Sequence, residues 1–309
     1  MCLGRTTVVH GCALLRRSFE GLVDGAGRPA SEADRNGGAD FRLHRRLPFL
    51  GPGSWRLGVK ALASPSRHTP AQVVSGWLPR GLVSTEPLER TVRSVVPHGW
   101  SDHRGLWIVA CDYKSGRRIP FGREGSPDAE LAEAVAASCA IPDFYRPVEI
   151  GGRPYVDGGV CSASNLDILR REGLDLVICL NPTSSRAALP TRGPAACAAA
   201  IVRATAGRRL GHEAHKLREG GTDVVLIQPV AEDITIMGSN LMSGRRRHDV
   251  IELAQQTVGE QLSQPDVSGL LAGLPAGERE RIARPAGPPS EWPPLVGLRT
   301  GPTAASSAA

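Results

Sequence analysis

Val148-Glu-Ile-Gly-Gly-Arg-Pro-Tyr155-Val-Asp157-Gly158-Gly159 reads as a strand, a tight glycine turn, a second strand and a sharp turn at Asp157. Upstream, the apolar run Leu106-Trp-Ile-Val-Ala-Cys111 is bounded by turn signals, the mark of a strand buried on both faces. Tyr113-Lys-Ser-Gly-Arg117 turns it, and Arg118-Ile-Pro-Phe-Gly122 returns as its hairpin partner. Asp128 to Cys139 is an Ala-rich helix whose acidic first turn meets the positive end of the helix dipole, and Pro142 stops it. Further upstream, Thr85-Glu-Pro-Leu88 opens a helix with Leu88, Val92 and Val95 at helical spacing. Downstream come a short helix (Leu166 to Glu172), a second fully buried strand (Asp175 to Pro182), a helix around Ala195 to Glu219, a third strand (Asp223 to Pro229) and a closing helix from Arg245 to Leu262. Strands alternating with helices at this spacing predict a three-layer α/β fold with a largely parallel sheet flanked by helices.

Around this block the chain changes character. Residues 21–40 show a period of neither 2 nor 3.6, so residues 1–40 are expected to be an irregular N-terminal segment. The α/β domain spans residues 41–262. Residues 263–309 hold eight of the 25 prolines and end in Thr-Ala-Ala-Ser-Ser-Ala-Ala, which predicts a disordered tail. With 309 residues, 41% of them hydrophobic and 22% charged, the chain can bury a sizeable core and reads as globular and soluble. Gly (36) and Pro (25) make up about a fifth of it, which excludes a helical bundle or coiled coil. An aromatic content of 4% leaves too few rings for a base-stacking platform, so no nucleic-acid partner is expected. Lys60, Lys114 and Lys216 are the only lysines among 37 cationic residues, so the net charge of +6 reads mostly as compositional bias. A peripheral attraction to anionic lipid headgroups remains open. Seven scattered cysteines without a C-x-x-C pair fit neither a disulfide framework nor a zinc site. With no apolar run near the length of a membrane span and no secretory signal in the first 20 residues, the cytoplasm is the expected compartment, with the membrane periphery open.

The sharpest chemical signal is Tyr155-Val-Asp157-Gly158-Gly159, preceded by Ser138-Cys-Ala-Ile-Pro-Asp-Phe-Tyr-Arg-Pro-Val148. By itself Asp-Gly is a common hairpin signal and Asp157 a turn residue. A carboxylate at the end of a core strand is also partly desolvated, which suits it to take a hydroxyl proton, and the two roles are compatible. The two glycines let the chain turn away and let a second loop approach closely.

In this order, the buried strand, the Ala-rich helix ending in Ala-Ile-Pro, the Y-x-D-G-G strand and the following apolar strand resemble the second half of a patatin-like phospholipase domain, most closely over residues 106–185. The resemblance implies a lipid acyl hydrolase, a serine-type carboxylic ester hydrolase working with a Ser-Asp dyad. Asp157 would be its general base and Gly158 and Gly159 its motif glycines. It implies no metal and no organic cofactor, and a lipid or phospholipid ester substrate that arrives from a membrane or micelle.

The family's nucleophile sits in G-x-S-x-G, a strained elbow that lifts the hydroxyl to a helix N-terminus. No serine of this chain has glycine on both sides at that spacing; Ser54 has Pro52 and Arg56 there. The Gly-rich oxyanion loop is missing too, since Gly37-Gly38 is followed by Ala, Asp and Phe. Residues 1–40 are atypical for the family, and the expectation is that the nucleophile segment was lost or scrambled by a wrong start codon, a frameshift or decay. The alternatives are a non-catalytic lipid-binding or interaction protein, and a truncated fragment of the enzyme. His212 and His215, three apart on a helix, read as a solvated face, Asp112 as a turn residue, and the Arg245-Arg-Arg247 run as a helix-terminus cluster.

Overall fold

The structure is a computed structural model and describes residues 51–64, 69–101, 105–185, 194–238 and 246–274. The irregular segment expected over 1–40 lies outside them. The chain divides into two compact units, residues 1–268 and 269–309. Of the second, residues 269–274 are described; they contain the end of the helix Pro265–Leu271 and a turn at Leu274. The tail expected from 263 therefore begins with a helix, because Pro265 needs no N–H partner in a first turn. Its remaining residues lie outside the described ones.

In the first unit, α1 (Trp55–Ala63), α2 (Pro70–Trp77) and α3 (Glu86–Arg93) precede β1 (Ile108–Asp112) and β2 (Arg118–Phe121). Then come α4 (Leu131–Ser138), β3 (Val148–Ile150), β4 (Arg153–Asp157) and β5 (Leu176–Leu180). α5 (Pro194–Glu219), β6 (Asp223–Ile227), α6 (Ala231–Met237) and α7 (Arg247–Leu262) complete its order, and α8 (Pro265–Leu271) begins in this unit and ends in the second. The chain is thus α/β, and each expected strand forms within a residue or two of its predicted place.

The expected largely parallel sheet needs correction. Among the described residues the larger sheet runs β2-β1-β4-β3 and every pair in it is antiparallel; only β5 and β6 pair in parallel, in a separate two-stranded sheet. A strand covered on both faces reads as an unbroken apolar run whichever way its neighbours point. Direction is set by the links, and the turns joining β1 to β2 and β3 to β4 are too short for a crossover. β5 and β6 are joined through the long helix α5, which permits the parallel pair.

β1 is buried at all five positions because both its faces are covered. Ile108 and Ala110 pack with Phe121, Val148, Ile150 and Tyr155 against the alanines of α4. Those alanines let the helix lie close on the strands, and Phe121 meets Tyr155 edge to face at 5.1 Å. Cys111 and Val156 point the other way, into a cluster with Leu57 of α1, Tyr113, Val160 and Cys161. The period of two along β1 therefore sends alternate side chains to two cores.

β5 is not the fully buried strand that its composition predicts. Val177 and Cys179 face α5, but Ile178 is 43% and Leu180 64% exposed. Among the described residues, one face of this strand is covered and the other is open.

Candidate functional site

Asp157 ends β4, one of the two central strands of the larger sheet, directly opposite Ala110 of β1. Its N–H donates to the carbonyl of Ala140 at 3.0 Å, which holds the strand end against the exit of α4. Its Oδ1 accepts from the N–H of Gly159 at 2.6 Å, so the carboxylate caps the 3-10 turn Gly158–Val160. The side chain is half-buried. Burial pushes its pKa up to about 6, and the Gly159 N–H opposes that rise. The turn role expected of Asp157 is thus present in this geometry.

Close approach requires the glycine at 158 and leaves little room at 159. A Cβ on Gly158 would lie 2.5 Å from the backbone oxygen of Val109, and one on Gly159 would lie 3.0 Å from Oδ1 of Asp157 itself. The Val109 carbonyl also takes the Ser138 hydroxyl at 2.8 Å, so it cannot yield easily. Gly158→Ala is expected to lower stability by about 1–3 kcal/mol through overpacking, read as a fall in the midpoint of thermal or urea unfolding.

In the loop that follows Ala140, the apolar side chains of Ile141 and Phe144 are exposed. Residues 83 and 144–146 bond through their backbones, Val83 N–H to the Phe144 carbonyl and Arg146 N–H to the Val83 carbonyl, which holds this loop down. Cys139 stands at the same corner. Surrounding protein and then the Asp157 carboxylate push its thiol up to about 11, so at neutral pH it is a protonated thiol and a poor nucleophile.

The patatin-like phospholipase family model matches residues 27–170. Residues 27–170 carry a patatin-like phospholipase domain match. The matched range is just under half of the chain, begins inside the segment expected to be atypical, and takes in Asp157, Gly158 and Gly159. It supports a lipid acyl hydrolase family.

Within the patatin-like region, the hydroxyls of several serines are committed elsewhere. Ser54 caps α1 and donates to the carbonyl of Tyr113 at 2.5 Å, and Ser138 is bound to Val109. Ser162 and Ser164 donate to Glu213 at 2.7 and 2.5 Å. Two surface grooves, of about 390 and 380 Å³, both include Pro154 at the far end of β4 from Asp157, and neither is lined by Asp157. Asp112 has the turn role expected of it: Oδ1 accepts from the N–H groups of Lys114 and Ser115, and Oδ2 pairs with Arg153 at 3.2 Å. His212 and His215 are exposed on α5, and His215 pairs with Glu219 at 3.3 Å. Of the arginine run, Arg246 stands exposed just before α7, and Arg245 lies outside the described residues.

Sequence reasoning missed Glu213, which sits between those two histidines and is 3% exposed. Besides both serines, its carboxylate accepts from the Leu166 N–H and from Arg209 Nε, each at 3.0 Å. It thus ties the loop leaving the Asp-Gly-Gly turn to α5. Asn165 in that loop takes a left-handed conformation (φ 50°) and donates from Nδ2 to the Ser162 carbonyl at 2.7 Å. A signal was present: Glu213 falls on the face of α5 that carries the buried Leu210, Ala214 and Leu217, where a charge needs partners.

Proposed function

We propose that this chain is a serine-type lipid acyl hydrolase with Asp157 as general base, catalytically impaired as it stands because no serine occupies a G-x-S-x-G elbow. In the reaction, a hydroxyl attacks an ester carbonyl as Asp157 accepts its proton, the ester C–O bond breaks and the alcohol leaves with that proton, and water, deprotonated by Asp157, then splits the acyl-enzyme to free the fatty acid and restore the hydroxyl. The observation that carries the reading is a half-buried carboxylate with a pKa near 6, held at a strand end by two backbone hydrogen bonds. A base of that strength is largely ionised at neutral pH yet keeps more proton affinity than a free aspartate. The exposed Ile141 and Phe144 of the loop after Ala140 offer apolar surface that suits an acyl chain, and the substrate would be a lipid or phospholipid ester presented by a bilayer or micelle. The fold is proposed as three layers, α1 and α4 covering opposite faces of the larger sheet, in a cytoplasmic protein that works at the membrane periphery. The reaction as drawn calls for no metal or cofactor.

One observation favours a second reading. The open Ile178 and Leu180 face of β5 is what a fragment lacking a neighbouring element would expose. A serine-directed fluorophosphonate probe separates the possibilities. Weak labelling that Asp157→Asn abolishes is the sign of an impaired hydrolase whose nucleophile lies outside a G-x-S-x-G elbow. Saturable fatty-acid binding without labelling would replace it with a non-catalytic lipid binder, and aggregation or a low unfolding temperature with the fragment.

A further inference from the structure

The cationic residues of this chain are unevenly placed. From Phe41 to Thr85 there are seven Lys or Arg and no Asp or Glu, because Asp40 and Glu86 bound the stretch. All 31 acidic residues lie elsewhere, so the remainder of the chain is close to neutral and the net charge of +6 resides in this one segment. Compositional bias toward arginine cannot produce such a gap in the carboxylates.

The described part of that segment folds as α1 and α2. On α1, Leu57, Gly58 and Ala61 are buried, while Trp55, Val59 and Leu62 form an exposed stripe at i, i+4, i+7, with Trp55 60% and Leu62 59% exposed. Arg56 and Lys60 are exposed one step round the same helix, and the Arg56 guanidinium lies 5.5 Å from the Trp55 ring centre. On α2, Val74 and Trp77 are exposed as well. Trp77 is seated against Gly58, where a Cβ would come within 2.9 Å of its ring, so α2 is packed directly on α1. Beside it, the groove of about 380 Å³ is lined by Trp55, Arg56, Arg80 and Lys114 and by no carboxylate.

We infer that the exposed face of α1 and α2 is a docking surface for anionic membrane, with Trp55, Val59, Leu62 and Trp77 entering the headgroup boundary and the flanking cations meeting lipid phosphate. Exposed tryptophans prefer that boundary, where the ring is partly apolar and its N–H stays wet. Lys and Arg near an anionic surface add attraction that salt screens. Charge complementarity selects this partner over a second copy of the chain, because two faces carrying the same cations and no anions would repel. The surface is fastened to the candidate site: Thr69, which caps α2, donates to the Val160 carbonyl at 2.6 Å, and Gln72 of α2 donates to Cys161 Sγ at 3.3 Å. This inference rests on the reading that the substrate is presented by a membrane, but it does not require that the chain hydrolyse it.

The test is co-sedimentation of the full chain with phosphatidylcholine vesicles, with and without phosphatidylglycerol, together with tryptophan emission. Binding that needs phosphatidylglycerol, falls with salt and shifts the emission to the blue is expected. Lys60→Gln and Arg56→Gln should each weaken it roughly fivefold. Trp55→Ala combined with Leu62→Ser should weaken it by at least tenfold without lowering the unfolding temperature, since both side chains are largely exposed. Asp157→Asn should bind like the parent, which keeps failure of the docking surface distinct from failure of the catalytic reading. No sedimentation of the parent, equal binding to phosphatidylcholine alone, or binding indifferent to these variants would overturn the inference. So would a dimer in solution that Trp55→Ala dissociates.

Discussion

Asp157→Asn is expected to stabilise the protein above pH 6 and to leave it unchanged below about pH 4. A carboxyl whose folded-state pKa lies above its unfolded value binds its proton more tightly in the folded chain. Its contribution is therefore fully present below the ordinary value of 3.8 and is lost as pH rises through about 6. Ionising Asp157 in its half-buried place should cost on the order of 3 kcal/mol at pH 8, from a rise of about two units at 1.36 kcal/mol each. Asparagine removes that cost and keeps an oxygen to accept from Gly159 N–H. The variant should unfold roughly 5 °C higher than the parent at pH 8, and the two curves should meet near pH 4. Thermal melts of both proteins across that range measure it. A difference that stays constant with pH would mean that Asp157 titrates as an ordinary surface carboxylate. If the hydrolase reading holds, the same variant loses roughly 10²- to 10⁴-fold in ester cleavage. Stability gained where activity is lost is the mark of a site held in a costly protonation state for its chemistry.

Glu213→Ala is expected to be the more damaging change. It strands the hydroxyls of Ser162 and Ser164, the N–H of Leu166 and the guanidinium of Arg209 around a buried gap. Breaking such a network by removing the charged partner costs about 3–5 kcal/mol, corresponding to roughly 10 °C in unfolding temperature for a domain of this size. Glu213→Gln keeps one acceptor oxygen and should fall between the two. Hydrogen exchange gives the local readout: the Leu166 amide should lose protection in the alanine variant while the β1 amides keep theirs until global unfolding. Equal loss across both would mean that Glu213 supports the whole unit and not the loop that leaves the Asp-Gly-Gly turn.

Both predictions concern groups whose sequence context is legible to different degrees. Asp157 announces itself, because two strands, a glycine turn and a pair of glycines leave few places for the chain to go. Glu213 does not, since a glutamate among helical histidines looks like any solvated face until the partner loop, some fifty residues earlier, is laid against it. The docking face is similar. Apolar residues lie on both sides of α1, and only packing shows that Leu57, Gly58 and Ala61 take the inner side and leave Trp55, Val59 and Leu62 outside. The absence of carboxylates from Phe41 to Thr85 is legible in the sequence, whereas the net charge alone reads as compositional bias.

Local sequence was enough to place the strands, the helix that Pro142 stops, the glycines that let Gly158 touch Val109, and the carboxylate that ends β4, because each depends on residues within one or two turns of itself. Strand direction was beyond it: an apolar run covered on two faces carries no record of which way its neighbour runs; short links make β1–β2 and β3–β4 antiparallel, and only the packing of distant segments sets β4 antiparallel to β1. The raised proton affinity of Asp157, the anchoring of its loop by Glu213 and the exposure of the tryptophan stripe likewise arise only in tertiary structure. Burial and partnership are properties of what segments distant in the chain bring together.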